Sequence, residues 1–390
     1  RSDGDKALSA LTQRYDGASI SAKDLLVKGK DLSKAKNAVS NKVKKAIDIS
    51  QANVKTFALR GLRKDWAMRN TQGATVGEVF QPFSRVGVYV PGGSAPLVST
   101  SLMTVAIAEA AGVEEIVVCT PPNKEGEINS ELLYALDHSG ATEIYKVGGA
   151  QAIAALSVGT KRIAQVEKIF GPGNSFVVEA KRQLFGFVSV DLLPGPSEIF
   201  VLADSSARAD WIASDLLAQA EHGGDSQVAF ATTSVKLLER VRLELNSQAK
   251  RLKRRKQISE VIRNGAILVL LKSIKQGIEL ANAFAPEHLS LIVKNKEGVL
   301  PKLKTCGAIF VGSHSAVSVG DFLAGPSHTL PTGGAGKSFS GLTADMFQRR
   351  TSVIELDEKS LKKSIPIVET FAEIEGLDAH GNSVRIRGSE

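Results

Sequence analysis

Cysteine is scarce in this 390-residue chain: Cys119 and Cys306 are the whole complement, each inside an apolar, strand-like run. With no CxxC pair and no Cys-rich framework, a disulfide scaffold is excluded, and the two thiols are expected to be buried in a reducing, cytoplasmic compartment. Aromatic residues make up 5% of the chain, poor material for a platform that stacks single-stranded bases. Long apolar runs are missing as well. The strongest, "GAILVLL" (Gly265–Leu271), is strand-sized and far too short to cross a bilayer, so no membrane partner is expected. The first residues, "RSDGDKALSALTQRYDG", contain no apolar signal core. No G-x-G-x-x-G occurs, so the usual dinucleotide fingerprint is absent.

The formal charge of +8 invites a nucleic-acid reading, and "KRLKRRK" (Lys250–Lys256) is its best support. That cluster continues "VKLLERVRLELNSQ" in helical register and has no aromatic residue interleaved. A solvated basic helix face explains it, and no nucleic-acid partner is expected.

What is present is an ordinary globular composition, 43% hydrophobic and 23% charged, in a chain too long for one core. From Ser84 onward strands alternate with helical patterns. The first series is "RVGVYV", "EEIVVCT", "EIYKV", "EKIF" and "VSVDLL"; the second is "EIFVLAD", "QVAFATT", "AILVLL", "LSLIV" and "GAIFVG". Between them lie segments with apolar residues at three- and four-residue spacing, such as "LVSTSLMTVAIAEAAG" and "AQAIAALSVG". This predicts an α/β fold of two Rossmann-like, doubly wound units. The expected divisions are a helical N-terminal segment (residues 1–87), a first unit (88–197), a second unit (198–345) and a C-terminal helical arm (346–390). The first eighty residues read as mostly helical, and the last forty as one amphipathic helix and a tail that must pack on something else, a partner subunit included.

Ligands collect at the carboxyl ends of such strands, which directs attention to the loops that follow them. "PTGGAGKS" (Pro331–Ser338) is one residue away from a phosphate-binding P-loop, but its first position is proline and it lacks the flanking strand and helix. "FGPGNSF" (Phe170–Phe176) follows a strand and opens a helix, so Asn174 can cap it and free N–H groups can face an anion. Six histidines occur. His138 ends a polar helix and His314 sits in a Ser-rich loop, both expected to be solvated. His222, His288, His328 and His380 each stand beside a carboxylate or amide in a glycine-rich loop: "QAEH", "PEH", "GPSH" and "EGLDAH". Gln219 and His222 are three apart and share a helix face, directly before two glycines. Gln219, His222, Asp321 and His380 offer oxygen and nitrogen donors without thiolate, a set acceptable to zinc in an open site.

Ordered along nearly the whole chain, "RVGVYVPGG", "VGGAQAIAALSVGT", "FGPGN", "GPSE", "LLAQAEHGGDSQ", "APEHL", "GPSHTLPTGG", "RRTSVI" and "EGLDAH" resemble the histidinol dehydrogenase family. The resemblance implies an NAD-dependent oxidoreductase of histidine biosynthesis that takes L-histidinol through histidinal to L-histidine. It implies zinc held by Gln219, His222 and Asp321, with His380 from the neighbouring subunit of an arm-exchanged homodimer. Glu287 and His288 take the place of the acid/base pair. Ser197, His328 and Glu375 take the place of substrate contacts, with His288 and the zinc ligands also lining that site. Tyr89, Gln151 and Asn174 would touch NAD. The chain begins inside the family's usual N-terminal region, so an early helical segment is expected to be absent or trimmed. The alternatives are a sibling zinc/NAD alcohol dehydrogenase acting on another small polar alcohol and, more remotely, a nucleic-acid-binding or P-loop protein.

Overall fold

The computed structural model describes residues 3–92 and 96–388; Gly93, Ser94 and Ala95 of the "YVPGGSAP" loop lie outside the described residues. The chain divides into two compact units, one made of Arg1–Gly61 and Ser84–Met346, the other of Leu62–Phe83 and Phe347–Glu390.

Helices Gly4–Asp16, Gly29–Ala38 and Asn41–Gly61 open the chain. Past Gly61 the helical expectation fails: β1 (Trp66–Arg69) and β2 (Thr75–Pro82) form an antiparallel hairpin. Its turn is built by Asn70, whose side-chain oxygen accepts from the Gln72 and Ala74 N–H groups at 3.1 and 2.9 Å, with Gly73 at φ 97°.

In the larger unit, β3 (Arg85–Tyr89), β4 (Glu115–Thr120), β5 (Glu143–Lys146), β6 (Lys168–Phe170) and β7 (Ser189–Val190) form a parallel sheet in the order β5-β4-β3-β6-β7. A second parallel sheet contains β8 (Glu198–Ala203), β9 (Gln227–Thr232), β10 (Ala266–Leu270), β11 (His288–Ile292) and β12 (Ala308–Val311) in the order β10-β9-β8-β11-β12. Each starts at its centre and winds outward in both directions, as doubly wound sheets do. Side chains alternate along β8, so Ile199, Val201 and Ala203 enter one core cluster while Phe200 and Leu202 enter another. Both faces of this strand are therefore buried, the reason it reads as a continuous apolar run.

Three details differ from the sequence reading. "LVSTSLMTVAIAEAAG" is split into Val98–Leu102 and Val105–Ala110. The basic run is not one helix face: helix Val235–Ala249 ends before it, Lys250–Arg254 form a turn, and Arg255 and Lys256 open the next helix. Like charges at three- and four-residue spacing disfavour helix, which accounts for the break. The last forty residues are also richer than one helix and a tail.

In the smaller unit, β13 (Gln348–Glu355) pairs antiparallel with all of β2, from Gln348 opposite Pro82 to Glu355 opposite Thr75. Helix Glu358–Glu375 follows, capped by Asp357 and ended by Gly376 at φ 67°. Helix Asp378–Arg385 packs back on it, with Arg385 Nε 2.7 Å from the Glu369 carboxylate. Among the described residues no helix is long and apolar enough to cross a membrane.

Candidate active site

Helix Ala209–Ala220 buries Ile212, Ala213, Leu216, Leu217 and Ala220 in the core of the second sheet. That face also carries Gln219, 2% exposed, with a buried Nε2 that has no hydrogen-bond partner. The His222 N–H donates to the Gln219 carbonyl at 3.2 Å in the last turn. Gly223 and Gly224 then take φ 72° and 60°, which stops the helix without a side-chain penalty. His222 is exposed.

Helix Ile274–Phe284 ends at Ala285, which at φ 54° is the one non-glycine residue with positive φ among the described residues. Left-handed backbone costs an L-residue about 1–2 kcal/mol, and it stands here directly before Pro286–Glu287–His288. Glu287 and His288 are buried, and His288 is the first residue of β11. Glu198, the first residue of β8, holds both. Its N–H donates to Glu287 Oε2 at 2.8 Å, and its carbonyl faces His288 Nδ1 at 3.0 Å. A carbonyl only accepts, so Nδ1 carries a proton, and in the neutral ring the lone pair is on Nε2. Nε2 is buried, makes no hydrogen bond, and lies 3.6 Å from Asp321 Oδ1. Glu287 Oε2 is 3.5 Å from Nδ1.

Burial pushes the Glu287 carboxyl up to about 7. For His288, burial works against the charged ring, but Asp321 and then Glu287 outweigh it and leave its pKa above the ordinary value. Asp321 sits near the end of helix Val317–Phe322, within electrostatic reach of His288, His328 and His222. His328 Nδ1 lies 3.1 Å from the Asp321 carbonyl, and its Nε2 lies 3.4 Å from Thr100 Oγ1 of the first sheet's helices. The Ser197 carbonyl accepts from Gln227 N–H at 3.0 Å, which places Ser197 between the starts of β8 and β9.

These residues therefore gather at the amino ends of β8, β9 and β11, not at the carboxyl ends. The reason is helix direction: Ala209–Ala220 and Val317–Phe322 run back across a parallel sheet, so their last turns return to where the strands begin. The first sheet keeps the ordinary arrangement. Tyr89, Gln151 and Asn174 stand at or after the carboxyl ends of β3, β5 and β6 and line one cavity of about 700 Å³ with Asp16, Pro121 and Lys124. The Tyr89 hydroxyl accepts from Gly149 N–H at 3.0 Å, and burial pushes its pKa up to about 12. Gln151 is buried with Nε2 unpartnered. Asn174 accepts from Phe176 and Val177 N–H, both at 3.1 Å, as its capping position predicted.

Glu375 and His380 belong to the smaller unit and are exposed there, at the end of helix Glu358–Glu375 and in helix Asp378–Arg385. His138 pairs with Asp48 at 2.9 Å, and His314 lies edge-on to Trp211, so both have structural partners. The P-loop-like stretch forms a single 3-10 turn, Ala335–Lys337. Sequence reasoning missed Glu198. Its side chain is 6% exposed, Oε1 accepts from Gly333 N–H at 3.1 Å, and Oε2 is buried and unpartnered. The signal was its place in "GPSE", one residue beyond Ser197.

A doubly wound α/β scaffold with a buried glutamate–histidine couple beside an aspartate, and a separate cavity on the first sheet, defines a cleft enzyme. A family model described as histidinol dehydrogenase matches residues 1–388. The chain is 41% identical over 387 residues to a histidinol dehydrogenase of Geobacillus kaustophilus, covering 99% of this chain and 91% of that one. It is also 41% identical over 389 residues to one of Bacteroides thetaiotaomicron, covering 99% and 90%. The crystal structure of histidinol dehydrogenase from Elizabethkingia anophelis superimposes with a TM-score of 0.95 at 37% identity, covering 98% of this chain and 88% of that one. A propionaldehyde dehydrogenase from Rhodopseudomonas palustris, at TM-score 0.52 and 12% identity over 90% of this chain and 92% of its own, shares the fold alone. The chain belongs to the histidinol dehydrogenase family, whose chemistry is the zinc- and NAD-dependent oxidation of histidinol in histidine biosynthesis.

The residues present fit both groups. For zinc, the Gln219 carboxamide oxygen, the His222 ring and the Asp321 carboxylate are donors of the right kind; for NAD, Gln151 lines the first-sheet cavity and holds a buried, unpartnered amide nitrogen. Among the described residues no group of three or more His, Cys, Asp or Glu could hold a metal by itself. A site built from His222, Asp321 and a carboxamide contains only two such residues, and so needs a further donor.

Proposed function

We propose that the Glu287–His288 couple performs the proton transfers of both oxidations, from L-histidinol to histidinal and on to L-histidine. The observation that carries this is the orientation of His288: Nδ1 is committed to the Glu198 carbonyl, so in the neutral ring the basic nitrogen is Nε2, the one beside Asp321. When bound, NAD would supply the hydride acceptor for each step, and zinc would supply a Lewis acid that helps position the substrate. His288 Nε2 takes the hydroxyl proton of the alcohol, and the Asp321 and Glu287 carboxylates stabilise the imidazolium that forms. Glu287, once ionised, takes a proton from the water that hydrates the aldehyde.

In this reading Gln219, His222 and Asp321 hold the zinc, with His380 supplied by a second copy. Ser197, His328 and Glu375 hold the substrate, Glu375 again from the second copy, and Tyr89, Gln151 and Asn174 hold NAD. Support for the exchanged arm comes from the smaller unit, where Ile354, Phe371 and Ile374 are 69%, 59% and 74% exposed, apolar surface that association would cover. Two free thiols and a biosynthetic reaction suit a cytoplasmic location.

The test is the ratio of NADH formed to histidine formed from L-histidinol, before and after chelation. Two NADH per histidine, lost on chelation and restored by zinc, is expected. One NADH with an aldehyde product, or turnover of another alcohol in preference to histidinol, would overturn the reading.

A further inference from the structure

Lys181 and Asp191 form an ion pair at 2.6 Å with both side chains 0% exposed, far from the glutamate–histidine couple in sequence and unused by the mechanism above. Lys181 lies in the last turn of helix Ser175–Leu184, the helix that Asn174 caps. Its ammonium donates to the Gly171 carbonyl at 2.5 Å, to Asp191 Oδ1 at 2.6 Å and to the Leu192 carbonyl at 3.4 Å. Asp191 Oδ2 accepts from Gly171 N–H at 2.7 Å. Both polar groups of Gly171 are thus satisfied by one ion pair. Gly171 opens the "GPGN" turn at φ 106°, and a Cβ there would fall 2.1 Å from the Tyr89 carbonyl oxygen. The turn is therefore pressed against Tyr89 at one end and finishes in Asn174 at the other.

We infer that the Lys181–Asp191 pair is a positioning device for NAD: it fixes the Gly171–Asn174 turn against Tyr89 and so sets cofactor affinity. This rests on the proposal that Tyr89, Gln151 and Asn174 hold NAD. A buried ion pair is a poor device for stability alone, since a well-packed apolar pair often does as well or better. What an apolar pair cannot do is hydrogen-bond a turn whose N–H and C=O groups have left the sheet ladder. The pair is thus explained by the turn it holds rather than by the core it occupies.

The experiment compares the zinc-loaded parent with D191N, K181M and the apolar double variant K181M/D191L. Measured are NAD Kd, KM for NAD and for histidinol, kcat, zinc content and Tm. D191N keeps the side chain's shape and one acceptor oxygen, so it reports even where the lysine variants do not fold. The double variant, with no unpaired buried charge, separates stability from turn geometry. Weakening of NAD binding by tenfold or more in every folded variant is expected, with zinc content and histidinol KM within twofold of the parent. Recovery of both Tm and NAD affinity in K181M/D191L would reduce the pair to a core element and overturn the inference. Equal losses for NAD and histidinol would also overturn it, as general loosening. A parent that binds no NAD overturns the cofactor reading and this inference with it, a result distinguishable from variants that bind like a competent parent.

Discussion

Glu198 and His288 are joined at the starts of two neighbouring strands, carbonyl to Nδ1 at 3.0 Å, while the same glutamate's N–H holds Glu287 at 2.8 Å. The orientation of both side chains is therefore set by sheet backbone rather than by another side chain. Variants at Glu287 and His288 should in consequence report chemistry rather than collapse of the site.

His288→Ala is expected to lower kcat for histidinol oxidation by about 10²–10⁴-fold, the usual range for removing a general base. NAD binding, proposed for the first sheet, should stay within twofold. Steady-state kinetics beside a cofactor titration check this, and unchanged turnover would take His288 out of the reaction.

Glu287→Gln keeps the acceptor for Glu198 N–H through its carboxamide oxygen but cannot accept a proton. The aldehyde half-reaction, assayed with histidinal, should slow by about 10²-fold or more, and the alcohol half-reaction by much less. Equal losses on the two substrates would contradict a role confined to the water.

The proposed sharing of the site between two copies makes a complementation test possible. Subunits carrying His222→Ala and subunits carrying His380→Ala should each be inactive and lose zinc. Mixed dimers contain one intact site, so refolded mixtures should regain up to about a quarter of the parent activity, half the dimers being mixed with one competent site in two. No recovery in dimers verified as mixed would argue against the exchanged arm.

Asp215 lies one turn before Gln219, hydrogen-bonded to the Val317 backbone, and burial pushes its carboxyl up to about 6. The folded state then holds this proton more tightly than the unfolded chain, whose carboxyl titrates near 3.9. Its effect is a loss of stability that begins as pH rises past the unfolded value and is complete above about 6. Asp215→Asn keeps the acceptor and removes the charge. The variant should match the parent near pH 4 and exceed it at pH 7–8 by about 1 kcal/mol, the full shift being discounted for partial exposure. Thermal melts across pH would show this, and equal Tm values at pH 8 would refute it.

The sequence displays the parallel sheets clearly because each strand is a buried apolar run between turn-rich loops. It displays the histidines too, since four stand in glycine-rich loops beside oxygen donors. Other features are set by distant partners and leave little local trace. "WAMR" forms β1 with all four residues exposed, so no alternation marks it as a strand. Lys181 looks like one more polar residue in "VVEAKRQL", yet it is fully buried because its partner arrives ten residues later. Glu198 contributes chiefly through its peptide groups, which any residue possesses. The placement of the couple at strand amino ends follows from helix direction, a property of topology that loop composition does not encode.

The pairing of β13 with β2 joins positions some 270 residues apart, Glu355 opposite Thr75 and Gln348 opposite Pro82. On the ribosome the hairpin precedes its outer partner, and the outer edge of β2 must wait until β13 has emerged. Throughout that interval β2 offers unpaired peptide groups to any passing strand. Protection of that edge on the nascent chain is then expected to matter to the yield of folded protein beside the finished protein's stability.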